Sequence, residues 1–123
     1  MNLDFSQLKT DPLGLIPAVI QDTETLQVLM VGWMNRQSYE ATLETGLVTF
    51  WSRSRQQLWQ KGESSGNTLH LSTMWVDCDK DTLLILAHPV GPTCHTGSQS
   101  CFFTTLDAGS SKPDSTISRK LSK

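Results

Sequence analysis

No stretch of this 123-residue chain approaches the roughly 20 consecutive apolar residues that a bilayer crossing needs. The first residues, Met1 to Lys9, lack the basic and apolar pattern of a secretory leader. These two absences predict a cytoplasmic protein with no membrane partner. Charge is also scarce. Charged residues make up 18 % and the formal net charge is −2, which argues against bulk attraction to nucleic acid. Cysteines number three, an odd count, and the cytosol keeps thiols reduced. A disulfide framework is therefore excluded, and metal binding, catalysis or burial remain. No internal repeat is visible, and the Gly-x4-Gly-Lys order of a P-loop is missing.

What is present fits one domain. Hydrophobic residues make up 37 %, enough for a modest core. That favours a compact monomer or a dimer that completes its core between subunits. Asp4 to Lys9 suggests a short helical turn. Ile16 to Gln21 and Leu26 to Trp33 are apolar, and Asp22-Thr23-Glu24-Thr25 separates them, which predicts a β-hairpin. Asn35 is a good N-cap and Gly46 a good stop, so the pattern predicts a helix over 36–45 with Tyr39 and Leu43 on its apolar face. Strands are expected over 47–52, 68–77 and 83–88, with an edge strand over 102–106. Arg53 to Asn67 and Gly91 to Cys101 read as loops. The Ser- and Lys-rich segment 108–123 is expected to be a disordered tail beyond a 1–107 domain. The fold class is α+β, strand-rich, with a curved mixed sheet and one main helix.

Asp77-Cys78-Asp79-Lys80-Asp81 is the most informative stretch. Packed carboxylates repel one another unless a cation joins them. If the segment is extended, Asp77, Asp79 and Asp81 share one face and Cys78 takes the other. Hard oxygen ligands suit Mg²⁺, and a soft thiolate suits Zn²⁺. The plain alternative is an acidic turn. An EF-hand is excluded, because Thr82 stands where its glycine belongs and His88 where its last glutamate belongs.

The other cysteines, Cys94 and Cys101, are too far apart in sequence for a zinc knuckle, and any one cysteine is more often simply buried. Three together, one among aspartates and one beside His95, shift the balance towards metal. Three protein ligands with a fourth position open is the pattern of catalytic zinc. Thiolates neutralise much of the zinc charge, so a nearby base is useful, and His95 is the best placed. His70 is a weaker candidate, and His88 reads as a surface residue.

Phe50 to Asn67 holds Arg53, Arg55 and Lys61 against only Glu63. Arginine forks, serine hydroxyls and backbone N–H groups beside glycine suit phosphate recognition. The bland reading is a solvated hairpin loop. Base stacking on Phe50, Trp51 and Trp59 is a further reading, but tryptophans are more often core or interface anchors.

Five blocks in order resemble the phosphoribosyl-AMP cyclohydrolase family: Val31-Gly32-Trp33-Met34-Asn35, Phe50-Trp51-Ser52-Arg53-Ser54-Arg55, Leu58 to Asn67, Asp77 to Asp81 and Gly91 to Phe102. The resemblance implies hydrolytic opening of the N1–C6 bond of the adenine in phosphoribosyl-AMP, a step of histidine biosynthesis. It implies zinc on Cys78, Cys94 and Cys101 and Mg²⁺ on Asp77, Asp79 and Asp81. It also implies a homodimer with zinc ligands drawn from both subunits. His95 is then the expected proton shuttle, and Arg53, Arg55, Lys61 and Ser65 the expected phosphate and ribose contacts. The segment from Ala108 onward does not resemble the pyrophosphohydrolase domain fused to some members, so the expectation is the cyclohydrolase alone. The rival from another class is a zinc-stabilised module that binds a nucleotide or RNA without catalysis.

Overall fold

A computed structural model describes residues 4–106, and the expected tail at 108–123 lies outside them. The polypeptide opens with a 3-10 turn, Phe5–Gln7, capped by Asp4. Strands β1 (Ile16–Asp22) and β2 (Val28–Met34) form the expected antiparallel hairpin. Its turn is set by the Asp22 carboxylate, which accepts from the N–H of Glu24 at 2.8 Å and of Thr25 at 3.3 Å.

Helix α1 runs Arg36–Thr45, as the caps predict. The Asn35 side chain accepts from the Ser38 N–H, and the Ser38 hydroxyl in turn accepts from the Asn35 N–H. Gly46, at φ 76°, ends the helix in the left-handed region that glycine occupies freely. Tyr39 is buried and meets Phe5 at 5.3 Å between ring centroids.

Strands β3 (Thr49–Ser52) and β4 (Gln57–Gln60) form a second, two-stranded ribbon. β4 corrects the expectation of a continuous loop over 53–67. Strands β5 (Leu69–Val76) and β6 (Leu83–Pro89) complete a four-stranded mixed sheet, ordered β2-β1-β6-β5, in which β1 and β6 are parallel. The α+β class is as expected. Phe102 to Leu106 do not form the expected edge strand; they are exposed and carry no regular structure.

One face of the sheet holds the core. Ile16, Ala18 and Ile20 on β1 and Leu83, Ile85 and Ala87 on β6 are buried there against Phe50, Tyr39 and Val48. On the other face, register sets Val31, Val19, Leu84 and Trp75 in a row across all four strands. Trp75 is 57 % exposed and Val31 47 %, so no layer covers the two ends of this apolar row among the described residues.

Candidate active site

After β6 the chain turns back tightly. The Thr93 N–H donates to the Gln99 carbonyl at 3.2 Å, Cys94 N–H to Ser98 at 3.0 Å, and Gly97 N–H to Cys94 at 3.0 Å. The returning arm is tied to β2. Cys101 N–H reaches the Leu29 carbonyl at 2.8 Å, and the Ser100 hydroxyl reaches that of Val28 at 2.7 Å. Seven positions apart in sequence, Cys94 and Cys101 are thereby brought near enough for each thiol to bear on the acidity of the other.

The two thiols are unequal. The Thr96 hydroxyl donates to Cys94 Sγ at 3.1 Å. That bond leads, with the Thr96 N–H, contact with Cys101 and the positive charge of Lys61 adding, and it holds Cys94 below the usual thiol range. Burial first, and then the Cys94 sulfur, push Cys101 up. His95 is exposed in the same turn. Thr93, only 2 % exposed, keeps a buried hydroxyl with no partner among the described residues.

Cys78 does not join them. Among the described residues, the one group of His, Cys, Asp or Glu able to gather three ligand atoms within 4.8 Å is Asp77, Asp79 and Asp81. Those aspartates converge by turning and not by the alternation of an extended strand. β5 ends at Val76, and Lys80 at φ 63° folds the chain back. Asp77 Oδ1 accepts from the N–H groups of Asp81 at 3.0 Å and Thr82 at 3.2 Å. Desolvation acts upward on Asp77, but these bonds and those from the Asp81 and Asp79 carboxyls outweigh it, and Asp77 sits below the usual carboxylate range. Asp81 is pushed up, first by Asp77 and then by Asp79. Three exposed carboxyls gathered this way are close enough together to hold one cation between them.

The expected substrate residues separate. Arg53 stacks on Trp33, its guanidinium carbon 4.6 Å from the ring centroid. An open cleft of about 530 Å³ surrounds them, walled by Val31, Gly32, Trp51, Ser52, Ser54 and Trp59. Arg55 and Ser65 are exposed outside that wall, where the Ser65 hydroxyl caps the Asn67 N–H at 3.2 Å. The charge of Lys61 bears on the cysteine pair. Sequence reasoning missed Thr96 and the cleft walls. The tryptophans of the Gly32-Trp33 and Phe50-Trp51 blocks were the available signal, read there as core or interface anchors, with base stacking as the further reading for Trp51 and Trp59.

Comparison with known proteins identifies the family. The signature of the phosphoribosyl-AMP cyclohydrolase family matches residues 30–103. The chain is 53 % identical over 109 residues to the phosphoribosyl-AMP cyclohydrolase of Ruegeria pomeroyi, covering 89 % of this chain and 92 % of that protein. It is 55 % identical over 102 residues to the histidine biosynthesis bifunctional protein HisIE of Bacteroides thetaiotaomicron, and 55 % over 104 to that of Staphylococcus aureus. The match covers 83 % and 85 % of this chain. It spans about half the length of these bifunctional relatives, 48 % and 47 %.

Proposed function

The chain belongs to the phosphoribosyl-AMP cyclohydrolase family and is an enzyme of the hydrolase class; from that premise we propose that it opens the adenine ring of phosphoribosyl-AMP at the N1–C6 bond, with zinc, in histidine biosynthesis. The observation that carries this reading is the turn that folds Cys101 back towards Cys94 and ties it to β2, so that two thiols far apart in sequence act on each other beside the charge of Lys61. Two thiols so placed fit a zinc ion. Zinc bound there supplies a Lewis acid for activating water. In the overall balance, water oxygen bonds to C6 as the new carboxamide oxygen, the N1–C6 bond breaks, N1 gains one hydrogen of the water and the exocyclic imino nitrogen on C6 gains the other. His95, exposed beside Cys94, takes the water proton and returns one to N1.

The third thiolate is assigned to Cys78 of the partner subunit. Cys78 stands between Asp77 and Asp79, so the acidic turn enters the same composite site with it. Its oxygens suit Mg²⁺, which offsets the phosphate charge that bare carboxylates would repel. Arg53, Arg55, Lys61 and Ser65 supply the phosphate and ribose contacts. A homodimer follows from the divided cysteine set, and the open row from Val31 to Trp75 suits burial against a second copy. Among the described residues no helix is long and apolar enough to cross a membrane, in keeping with the proposed cytoplasmic location.

The test is an absorbance assay of ring opening with and without a chelator. Turnover that stops on chelation and returns with zinc is the expected result; full activity in chelator, or in Cys101→Ser, sinks the zinc mechanism.

A further inference from the structure

The cleft around Arg53 has features that a solvated loop does not need. Gly32 and Trp33 come from β2, while Trp51, Ser52, Arg53 and Ser54 come from β3 and the turn after it, with Trp59 on β4 behind. The ribbon of β3 and β4 therefore leans over the β2 edge and leaves an open space of about 530 Å³. Its one formal charge is Arg53.

Arg53 is held but not satisfied. Its guanidinium carbon lies 4.6 Å from the Trp33 ring centroid, a cation–π contact that holds the fork over the ring. Both ion pairs among the described residues belong to Arg36, so Arg53 faces no carboxylate there. Among the described residues its side chain makes no hydrogen bond. Ser52 and Ser54 also line the cleft; their hydroxyls lie 3.4 Å apart, and the Arg55 N–H donates to Ser52 at 3.2 Å. A planar cationic fork held over Trp33, in a cleft that also offers two hydroxyls, matches a phosphate monoester. The aromatic walls do not favour a flat base on the near face of Trp33, because the guanidinium already covers it.

The position is also right. Cys101 is tied to Leu29, and Val31, at the lip of the cleft, is two residues further along β2, about 7 Å at the rise of a strand. A ligand reacting at the cysteine pair can thus extend a ribose 5-phosphate arm into the cleft of the same protomer.

We propose that this cleft is the docking subsite for one phosphoribosyl arm of the substrate. Arg53 reads the 5′-phosphate with Ser52 and Ser54, and Trp33 is the positioning residue that holds the Arg53 fork. The proposal rests on the cyclohydrolase reading for the identity of the whole substrate but not for the phosphate chemistry of the cleft.

The test is calorimetric titration of the purified full-length protein with ribose 5-phosphate, with ribose as the phosphate-free control. Ribose 5-phosphate binds and ribose does not. Arg53→Lys, which keeps the charge but loses the fork, weakens binding tenfold or more. Trp33→Leu weakens it similarly, and Trp33→Phe restores most of it. With phosphoribosyl-AMP, Trp33→Leu raises KM about tenfold with kcat within threefold of wild type, a split that general loosening of the fold would not give. Should Trp33→Leu fail to fold, the exposed Arg53→Lys variant carries the test. Equal binding of ribose and its phosphate, no binding of either, or unchanged binding by Arg53→Lys overturns the subsite. A wild-type protein that binds ribose 5-phosphate through Arg53 yet opens no phosphoribosyl-AMP overturns the activity and leaves the subsite standing.

Discussion

The Phe50 ring lies so close to the backbone of Gly32 that a methyl group on Gly32 would sit 2.5 Å from Phe50 Cδ1. Gly32 therefore lets β2 receive a fully buried aromatic from β3, and that contact seats the ribbon carrying Arg53 over the β2 edge. Gly32→Ala should destabilise the protein by about 1–3 kcal/mol through overpacking. Denaturant unfolding measures this, and Phe50→Leu in the Gly32→Ala background should recover part of the loss. Additive losses in the double variant would show that the two residues do not press on each other.

Tyr39 gives a second handle on the core, because the chain has one tyrosine. Burial chiefly, and the charge of Asp4 in addition, push its phenol above the usual range. A phenol raised on folding adds stability that is complete below its unfolded value, near 10, and is lost as pH rises through the folded value. Phenolate absorbance should titrate above pH ~10 in the native protein and near it after unfolding. Tyr39→Phe should flatten the alkaline fall in stability. A native midpoint at the ordinary value would mean that the phenol is not desolvated.

At the acidic turn, two opposite effects are separable. Without metal, Asp79→Asn removes a charge from a crowded trio, so its melting temperature should equal or exceed that of wild type. With Mg²⁺ the order should reverse. Wild type gains roughly 2.7 kcal/mol at a hundredfold excess over its dissociation constant, and the variant gains much less. Thermal melts across an Mg²⁺ series read both arms, and parallel curves for the two proteins would remove the turn as a cation site.

Local signals in the sequence were enough for α1, because Asn35 and Gly46 are caps whose chemistry acts within one turn. The β1–β2 hairpin was legible for the same reason, Asp22 being both strand end and turn former. β4 was not: Gln57-Leu58-Trp59-Gln60 is short and partly exposed, and its pairing with β3 decides its state. The aspartate cluster was found through a wrong geometry, since alternation predicts one face of a strand and the turn at Lys80 does the gathering. The Cys94–Cys101 pair depends on Ser100 and Cys101 bonding to β2, more than seventy positions earlier, which spacing does not reveal. Phe102 and Phe103 look like strand residues, yet they remain exposed. Among the described residues no strand pairs with them.

The composite site makes the most distinctive prediction. Cys78 stands apart from the Cys94–Cys101 pair within one protomer, so the proposed zinc site needs two copies. Cys78→Ser alone and Cys94→Ser alone should both be inactive. Unfolded together and refolded as a mixture, they should regain activity, because a mixed dimer has one site with both substitutions and one with neither. Random pairing makes half the dimers mixed with one good site in each, so recovery should approach about a quarter of wild-type activity. A Trp75→Arg substitution in both chains should abolish that recovery by breaking the apolar row while each protomer stays folded, which sedimentation can follow. Mixed dimers that form but stay inactive would place all zinc ligands within a single subunit and end the shared-site proposal.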